Sequence, residues 1–238
     1  MILHRLRAYF KEHLPRTSAS YRIARFTFQN LGKLRNIVSP PPPPRHIEKS
    51  SIFEREDELP MCSLFPKEEL ELTIELFQPK TLLDVGCGTG MSMDYFRKHG
   101  VNVFGIEGSQ LARSKARRPD LIQIGDLHTQ IDLNRQFDVV WCFEVAEHIH
   151  PDFAETLTGT IGRHGNVVVL SAAQPGQGGC GHLNEQPPEY WIDQFLRIGF
   201  HLDEVTTSKF HSLEDQFAPN ILVFRRNHSS QAKNPEYT

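Results

Sequence analysis

LLDVGCGTGMS, residues 82–92, begins as a buried strand, stops at an acid and turns through three glycines at alternate positions, Gly86, Gly88 and Gly90. An ordinary turn needs one or two glycines, so the run predicts a backbone cleared for close approach by a large group. A strand that ends in such a turn and opens a helix brings free amides and the positive helix end to the carboxyl edge of a sheet, where nucleotide-like ligands bind. The spacing narrows the ligand. A dinucleotide fingerprint GxGxxG would place its third glycine at Met91, and no Lys-Ser/Thr pair follows to make a phosphate loop. Both NAD and a nucleoside triphosphate are therefore disfavoured.

Helix and strand signals alternate around this stretch. TLLDV, VNVFGIE, LIQIG, FDVVWCF and NVVVLSAA are short, β-branched or apolar runs of the kind buried in parallel sheets. PKEELELTIELF, MSMDYFRKHG, SQLARSKARR and PDFAETLTGTIGRHG have helical length, with Gly100 and Gly165 placed as C-terminal stops. PPEYWIDQFLRIGF reads as a further helix, and HLDEVTTSKF with ILVFRRN as a closing antiparallel strand pair. The expected fold is α/β, a Rossmann-like doubly wound sheet, mostly parallel, with an antiparallel C-terminal pair.

The 238 residues suffice for one large domain and an appendage. Residues 1–50 hold 10 Lys and Arg against 2 acids, while the remainder holds 16 against 27. Leu3, Leu6, Phe10 and Leu14 recur at helical spacing between basic residues, so 1–39 is expected to be a basic amphipathic helical arm. It either docks on an anionic membrane surface or a partner, or packs on its own domain; both readings stay open. Prolines 40–44 predict an extended linker over 40–50, leaving a domain over 51–228 and a flexible tail over 229–238. Four scattered cysteines without a CxxC pair read as reduced thiols and a cytoplasmic protein, at the membrane surface if the arm docks there. The arginine-rich start also fits a mitochondrial presequence.

Residues 66–226 resemble the class I S-adenosylmethionine-dependent methyltransferases, whose first motif reads very like LLDVGCGTG. The resemblance implies that Gly86, Gly88 and Gly90 let the methionine half of S-adenosylmethionine lie against the backbone, while Asp84 helps hold its amino group. It implies further that Glu107, ending the second strand, grips both ribose hydroxyls, and that Asp126 accepts from the adenine amino group with Leu127 beside it. Cys87, Gly108 and Phe143 complete the expected cofactor contacts. A plainer reading makes Glu107 and Asp126 helix caps, and Phe143, like Trp141, a core residue. Their joint placement at successive strand ends favours the cofactor.

Methyl transfer from a sulfonium is a displacement, so residues after strands four and five should align the acceptor and take its proton. After strand four, Glu144, Glu147 and His148 stand at i, i+3 and i+4 and would share a face on one helical turn. After strand five, the glycine-rich stretch SAAQPGQGGCGHLNEQPPEYW, carrying His182, Asn184, Glu185 and Gln186, is a candidate mobile lid and substrate contact. The ExxEH pattern resembles the ubiquinone-pathway O-methyltransferases and the small-RNA 3′-end methyltransferases. That resemblance implies a divalent cation such as magnesium on Glu144, Glu147, His148 and His182. Without a cation, His182 or His148 is the expected general base, with Glu144 beside them. The loop also looks like that of methyltransferases found with sugar-modifying systems, which makes a sugar or glycan hydroxyl the leading acceptor, ahead of a catechol-type small molecule or an RNA end. RNA is disfavoured because the domain outside the arm is acidic. The Asn/Asp-Pro-Pro-aromatic tetrapeptide of amino-group methyltransferases is missing after strand four, which tilts the reaction toward oxygen. A retired enzyme kept as a binding module would be expected to have lost part of the set Gly86, Gly88, Glu107 and Asp126, and all four are present.

Overall fold

A computed structural model describes residues 55–59 and 65–227; the expected arm, linker and tail, with the membrane and RNA readings that hang on the arm, lie outside the described residues. Seven strands form one sheet: β1 Thr81–Val85, β2 Asn102–Glu107, β3 Ile122–Ile124, β4 Val139–Phe143, β5 Val167–Ser171, β6 Phe200–Leu202 and β7 Ile221–Arg226. Their order is β3-β2-β1-β4-β5-β7-β6. The first five are parallel, and β7 runs antiparallel to both β5 and β6. The expected fold class is therefore the one observed. Strand order reverses between β1 and β4, so the carboxyl ends of these two strands, at Val85 and Phe143, flank the crevice where such sheets take ligands.

Among the described residues six helices cover the sheet: α1 Lys67–Phe77, α2 Met91–Lys98, α3 Gln110–Lys115, α4 Ala154–Arg163, α5 Pro188–Arg197 and α6 Glu204–His211. Side chains alternate across each strand, so neighbouring positions feed two cores. Leu83, Val85, Val140 and Cys142 pack with Leu157 and Ile161 of α4 and Trp191 and Phe195 of α5. Leu82, Trp141 and Phe143 pack on the other face with Leu70 of α1, Phe96 of α2 and Phe210 of α6. All five β4 residues are buried, as a central strand covered on both faces requires. At the opposite edge Asp138 fixes the start of the β1–β4 pair, accepting from the Lys80 and Thr81 amides at 2.8 and 2.9 Å. Among the described residues no helix is long and apolar enough to cross a membrane.

Two local expectations need correction. HLDEVTTSKF is not one strand: it breaks at Asp203, whose carboxylate accepts from the Thr206 amide at 3.0 Å and its hydroxyl at 2.7 Å, capping α6. The β-branched threonines that suggested a strand instead pack beneath a two-turn helix, where Thr207 Oγ1 accepts from the Val223 amide. Gly165 is not a left-handed stop, because α4 ends on His164 in a right-handed conformation. A Cβ at Gly165 would come within 2.7 Å of Val140, so this glycine serves close packing against β4. Gly100 does adopt the left-handed conformation, at φ 84°.

One buried group belongs to neither core nor crevice by composition. Glu69, near the N-terminus of α1, is fully buried and neither carboxyl oxygen finds a hydrogen-bond partner among the described residues. Burial, reinforced by the charge of Asp215, pushes its pKa up to about 7. A carboxyl that keeps its proton in the folded state but loses it near 4.5 when unfolded costs stability progressively from about pH 4.5 to 7 and fully above that range. Glu69→Gln should therefore match the wild type in urea melts at pH 4 and exceed it by on the order of 2 kcal/mol at pH 8. An equal offset at both pH values would show that Glu69 is not protonated in the fold.

Candidate functional site

The glycine turn after β1 holds Gly86, Gly88 and Gly90 at φ 78°, 55° and 77°, all left-handed. At Gly86 the close neighbour is the protein itself, since a Cβ there would overlap Val145 on the chain leaving β4. That contact locks the two loops of the crevice together. Gly105 in β2 was not singled out by sequence, yet a Cβ there would meet Cys87 Sγ at 2.6 Å and Met93 Sδ at 2.7 Å. The Cys87 side chain thus points into the core, where burial raises its thiol pKa, and what it offers a ligand is backbone. Gly90 begins α2, and the Gly88 amide donates to Glu107 Oε2 at 2.7 Å.

Glu107 ends β2 and takes a second amide bond, from Ser109 to Oε1 at 2.7 Å. Burial raises its pKa, while the Ser109 and Gly88 amides oppose the rise. Asp84 is buried beside it, with Oδ2 lacking a hydrogen-bond partner among the described residues. Burial first and the Glu107 charge second push Asp84 up to about 8. Two buried carboxyl groups, one with an orphaned oxygen, face a loop of glycine amides at the switch point. This donor set fits a ligand carrying a cationic amine and a vicinal diol, as S-adenosylmethionine does.

The residues expected around the adenine are arranged less directly. The Asp126 carboxylate is turned into its own loop, accepting from the His128 amide at 2.9 Å and lying 2.7 Å from His128 Nδ1. Leu127 is buried in the core with Ile106 and Ile131. Gly108 lies against the Gly125 carbonyl, 3.7 Å from where its Cβ would be, which brings the loops after β2 and β3 side by side. Phe143 stacks on Trp141 at 5.0 Å and meets Phe217 edge-on at 5.2 Å, so most of its surface is core.

The chain leaving β4 turns sharply because Glu144 adopts φ 54°, a left-handed conformation that costs a non-glycine residue about 1–2 kcal/mol. A short 3-10 turn, Ala146–His148, follows. Glu144 therefore precedes the turn instead of lying on its face. Its Oε1 accepts from the Ser171 hydroxyl and, at 3.3 Å, from Asn220 Nδ2. Asn220 also bonds Gln177 at 2.8 and 3.0 Å, tying the ends of β5 and β7 together. Sequence reading missed Ser171, Gln177 and Asn220, whose one signal was position at the ends of strands that meet only in the fold.

Glu147, His148 and His182 each place a ligand atom within 4.8 Å of the others, so three of the four expected cation ligands converge and Glu144 stands aside. Neither carboxyl oxygen of Glu147 makes a hydrogen bond of normal geometry among the described residues. Burial raises its pKa, and the neighbouring Glu144 charge raises it further. His148 Nδ1 lies 3.2 Å from the Gly181 carbonyl and His182 Nδ1 lies 3.0 Å from Glu185 Oε1. Both partners are acceptors, so in the neutral ring each Nδ1 carries the proton and each Nε2 the lone pair. An orphaned carboxyl group beside two imidazoles in that tautomer fits a divalent cation. Burial lowers the His148 pKa, keeping that ring neutral.

The glycine-rich loop is tied down over much of its length. The Leu183 and Asn184 amides donate to the Glu147 carbonyl at 2.8 and 2.9 Å, and the Gly176 and Gly178 amides to the two Glu185 oxygens at 2.7 and 2.6 Å. The loop expected to be mobile is thus fastened to the β4 turn.

A methyltransferase-domain family matches residues 56–171. The dTDP-4-amino-2,3,4,6-tetradeoxy-D-glucose N,N-dimethyltransferase of Saccharopolyspora spinosa is 37% identical over 149 residues, 57% of this chain and 53% of that protein. The ubiquinone biosynthesis O-methyltransferase of Pseudomonas paraeruginosa is 35% identical over 140 residues, 51% of this chain and 56% of its own. The chain thus spans about half the length of these curated relatives. Among solved structures, a TehB-like SAM-dependent methyltransferase from Corynebacterium glutamicum shares the fold at TM-score 0.52 and 20% identity, over 72% of this chain and 94% of that one.

If Glu107 holds the ribose diol, Glu107→Ala should weaken S-adenosylhomocysteine binding at least tenfold by calorimetry in protein shown to be folded by circular dichroism. Unchanged affinity would remove Glu107 from the cofactor site.

Proposed function

We propose that this chain, whose residues 56–171 match a methyltransferase-domain family, methylates a hydroxyl group of a sugar or glycan with S-adenosylmethionine as the donor. The observation that carries this reading is the convergence of Glu147, His148 and His182 at the β4 exit, which Val145 locks against the glycine loop of the cofactor site. S-adenosylmethionine, when bound, supplies a methyl group activated by a sulfonium. The chain's part is to hold the cofactor, align the acceptor and remove its proton. The glycine loop, Asp84 and Glu107 do the holding. His182, with its lone pair on Nε2, accepts the hydroxyl proton, and neutral His148 lines the same pocket.

Oxygen is favoured over nitrogen because the β4 exit reads Glu144-Val145-Ala146-Glu147 in place of the amino-group tetrapeptide. An imidazole base suits a hydroxyl, which must lose its proton as it attacks, better than an amine, which is already nucleophilic when neutral. A sugar is supported by the similarity to a protein named for a nucleotide amino sugar. A nucleic-acid acceptor is disfavoured by the balance of 16 basic to 27 acidic residues beyond residue 50.

A second reading, metal-assisted methylation of a catechol-type hydroxyl, is favoured by the same cluster and by the similarity to a ubiquinone-pathway enzyme. A cation held by Glu147, His148 and His182 would supply Lewis acidity toward adjacent oxygens. Two imidazoles and one carboxylate suit manganese, iron or zinc better than magnesium.

Radiolabelled S-adenosylmethionine offered with hydroxyl-bearing and amino-bearing nucleotide sugars, catechols and RNA ends separates these readings. The expected result is label on a sugar oxygen, unaffected by EDTA. Label on a catechol that EDTA abolishes would favour the second reading, and label on an amine would overturn the preference for oxygen. On the acceptor so found, His182→Ala should lower kcat at least 100-fold and leave cofactor affinity within about twofold. Unchanged kcat would exclude His182 as the base.

A further inference from the structure

We propose that Glu185 is the positioning residue of the site, holding the His182 imidazole in the tautomer and orientation that present Nε2 toward Glu147 and His148. The proposal rests on the reading that His182 works at the acceptor. Glu185 carries no assigned role in the cofactor or cation set, yet its carboxylate is the hub of the loop between β5 and α5. Oε1 accepts from the Gly178 amide at 2.6 Å and lies 3.0 Å from His182 Nδ1, while Oε2 accepts from the Gly176 amide at 2.7 Å. A carboxylate fixed by two amides cannot swing away from the ring it faces, and with 19% of its side chain exposed it is largely shielded from water.

The opposite side of the ring is fixed as well. His182 lies directly over Gly179, so closely that any Cβ at that position would overlap the imidazole. Gly176, Gly178 and Gly181 all take positive φ, which lets the backbone curl around the ring and aim its amides inward at Glu185. This explains the glycine density of GQGGCGH more closely than general mobility does. The curl is then fastened to the β4 turn by the Leu183 and Asn184 amides on the Glu147 carbonyl, and by His148 on the Gly181 carbonyl. His148 and His182 consequently meet edge-to-face, with ring centres 5.0 Å apart.

Charge and tautomer follow from the partner. A carboxylate accepts hydrogen bonds and donates none, so Glu185 places the neutral ring's proton on Nδ1. A glutamine does not test this, because its one oxygen would serve both the Gly178 amide and the ring, the two groups that share Oε1, and leave the proton on Nδ1. A methionine has nearly the same length and offers the ring no oxygen, so it releases the imidazole to the Nε2–H form that a free neutral histidine side chain prefers.

The test is long-range proton–nitrogen NMR on the full chain labelled with 15N-histidine, without added metal, for wild type, Glu185→Met and Glu185→Asp. His182, assigned by loss of its signals in His182→Ala, should be the Nδ1–H tautomer in the wild type and should move toward Nε2–H in Glu185→Met. The aspartate variant should restore Nδ1–H at least in part. A wild-type ring already in the Nε2–H form, or a ring unmoved by Glu185→Met, overturns the proposal; the wild-type spectrum alone can do so if the methionine variant does not fold. A tautomer shift accompanied by at least a tenfold loss of kcat, with S-adenosylhomocysteine affinity unchanged, supports both positioning and the base role. A tautomer shift with kcat intact supports the positioning role and sinks the reading of His182 as base.

Discussion

Four carboxyl groups, Asp84, Glu107, Glu144 and Glu147, are gathered where strand order reverses, three of them in buried positions. Removing charged carboxylates from water is expensive, and an acid in such a place must keep a proton, gather amide donors or face a cation. The first two are visible. Glu107 gathers amides from Gly88 and Ser109, Glu144 takes Ser171 and Asn220, and Asp84 and Glu147 keep orphaned oxygens with raised pKa values. The fold tolerates the burden because the rest of the sheet is densely apolar on both faces.

Much of this architecture is legible in the sequence. The strand–turn–helix at residues 82–92, the buried β-branched runs and the helix lengths between them lead to the observed fold class, a mostly parallel sheet with an antiparallel C-terminal pair, because local periodicity and right-handed crossover rules leave few alternatives. What misled was local chemistry with a tertiary answer. Thr206 and Thr207 look like strand residues, but Asp203 caps a helix over them. Gly165 looks like a helix stop, but its backbone is needed close to Val140. In both places a contact from a distant strand decided between options that the local sequence left balanced.

The site divides in the same way. Residues fixed by strand ends, Asp84, Glu107 and the three glycines, stand where sequence spacing puts them. Glu144 does not, since the i, i+3, i+4 spacing assumes a helix that its left-handed backbone forbids. Asn220 could not be found by spacing at all, because it reaches Glu144 from 76 residues away along the chain, and Gln177 enters only through its bonds to Asn220. The glycine loop reads as flexible from composition, yet its positive-φ glycines are the means by which it closes around Glu185 and His182.

The most direct test of the account is a crystal structure of the chain with S-adenosylhomocysteine. The account predicts the ribose hydroxyls on Glu107, the amino group near Asp84, and the sulfur directed toward Glu147 and His182 across the Val145 contact. A ligand seated elsewhere on the sheet, or with its sulfur turned away from that cluster, would contradict it.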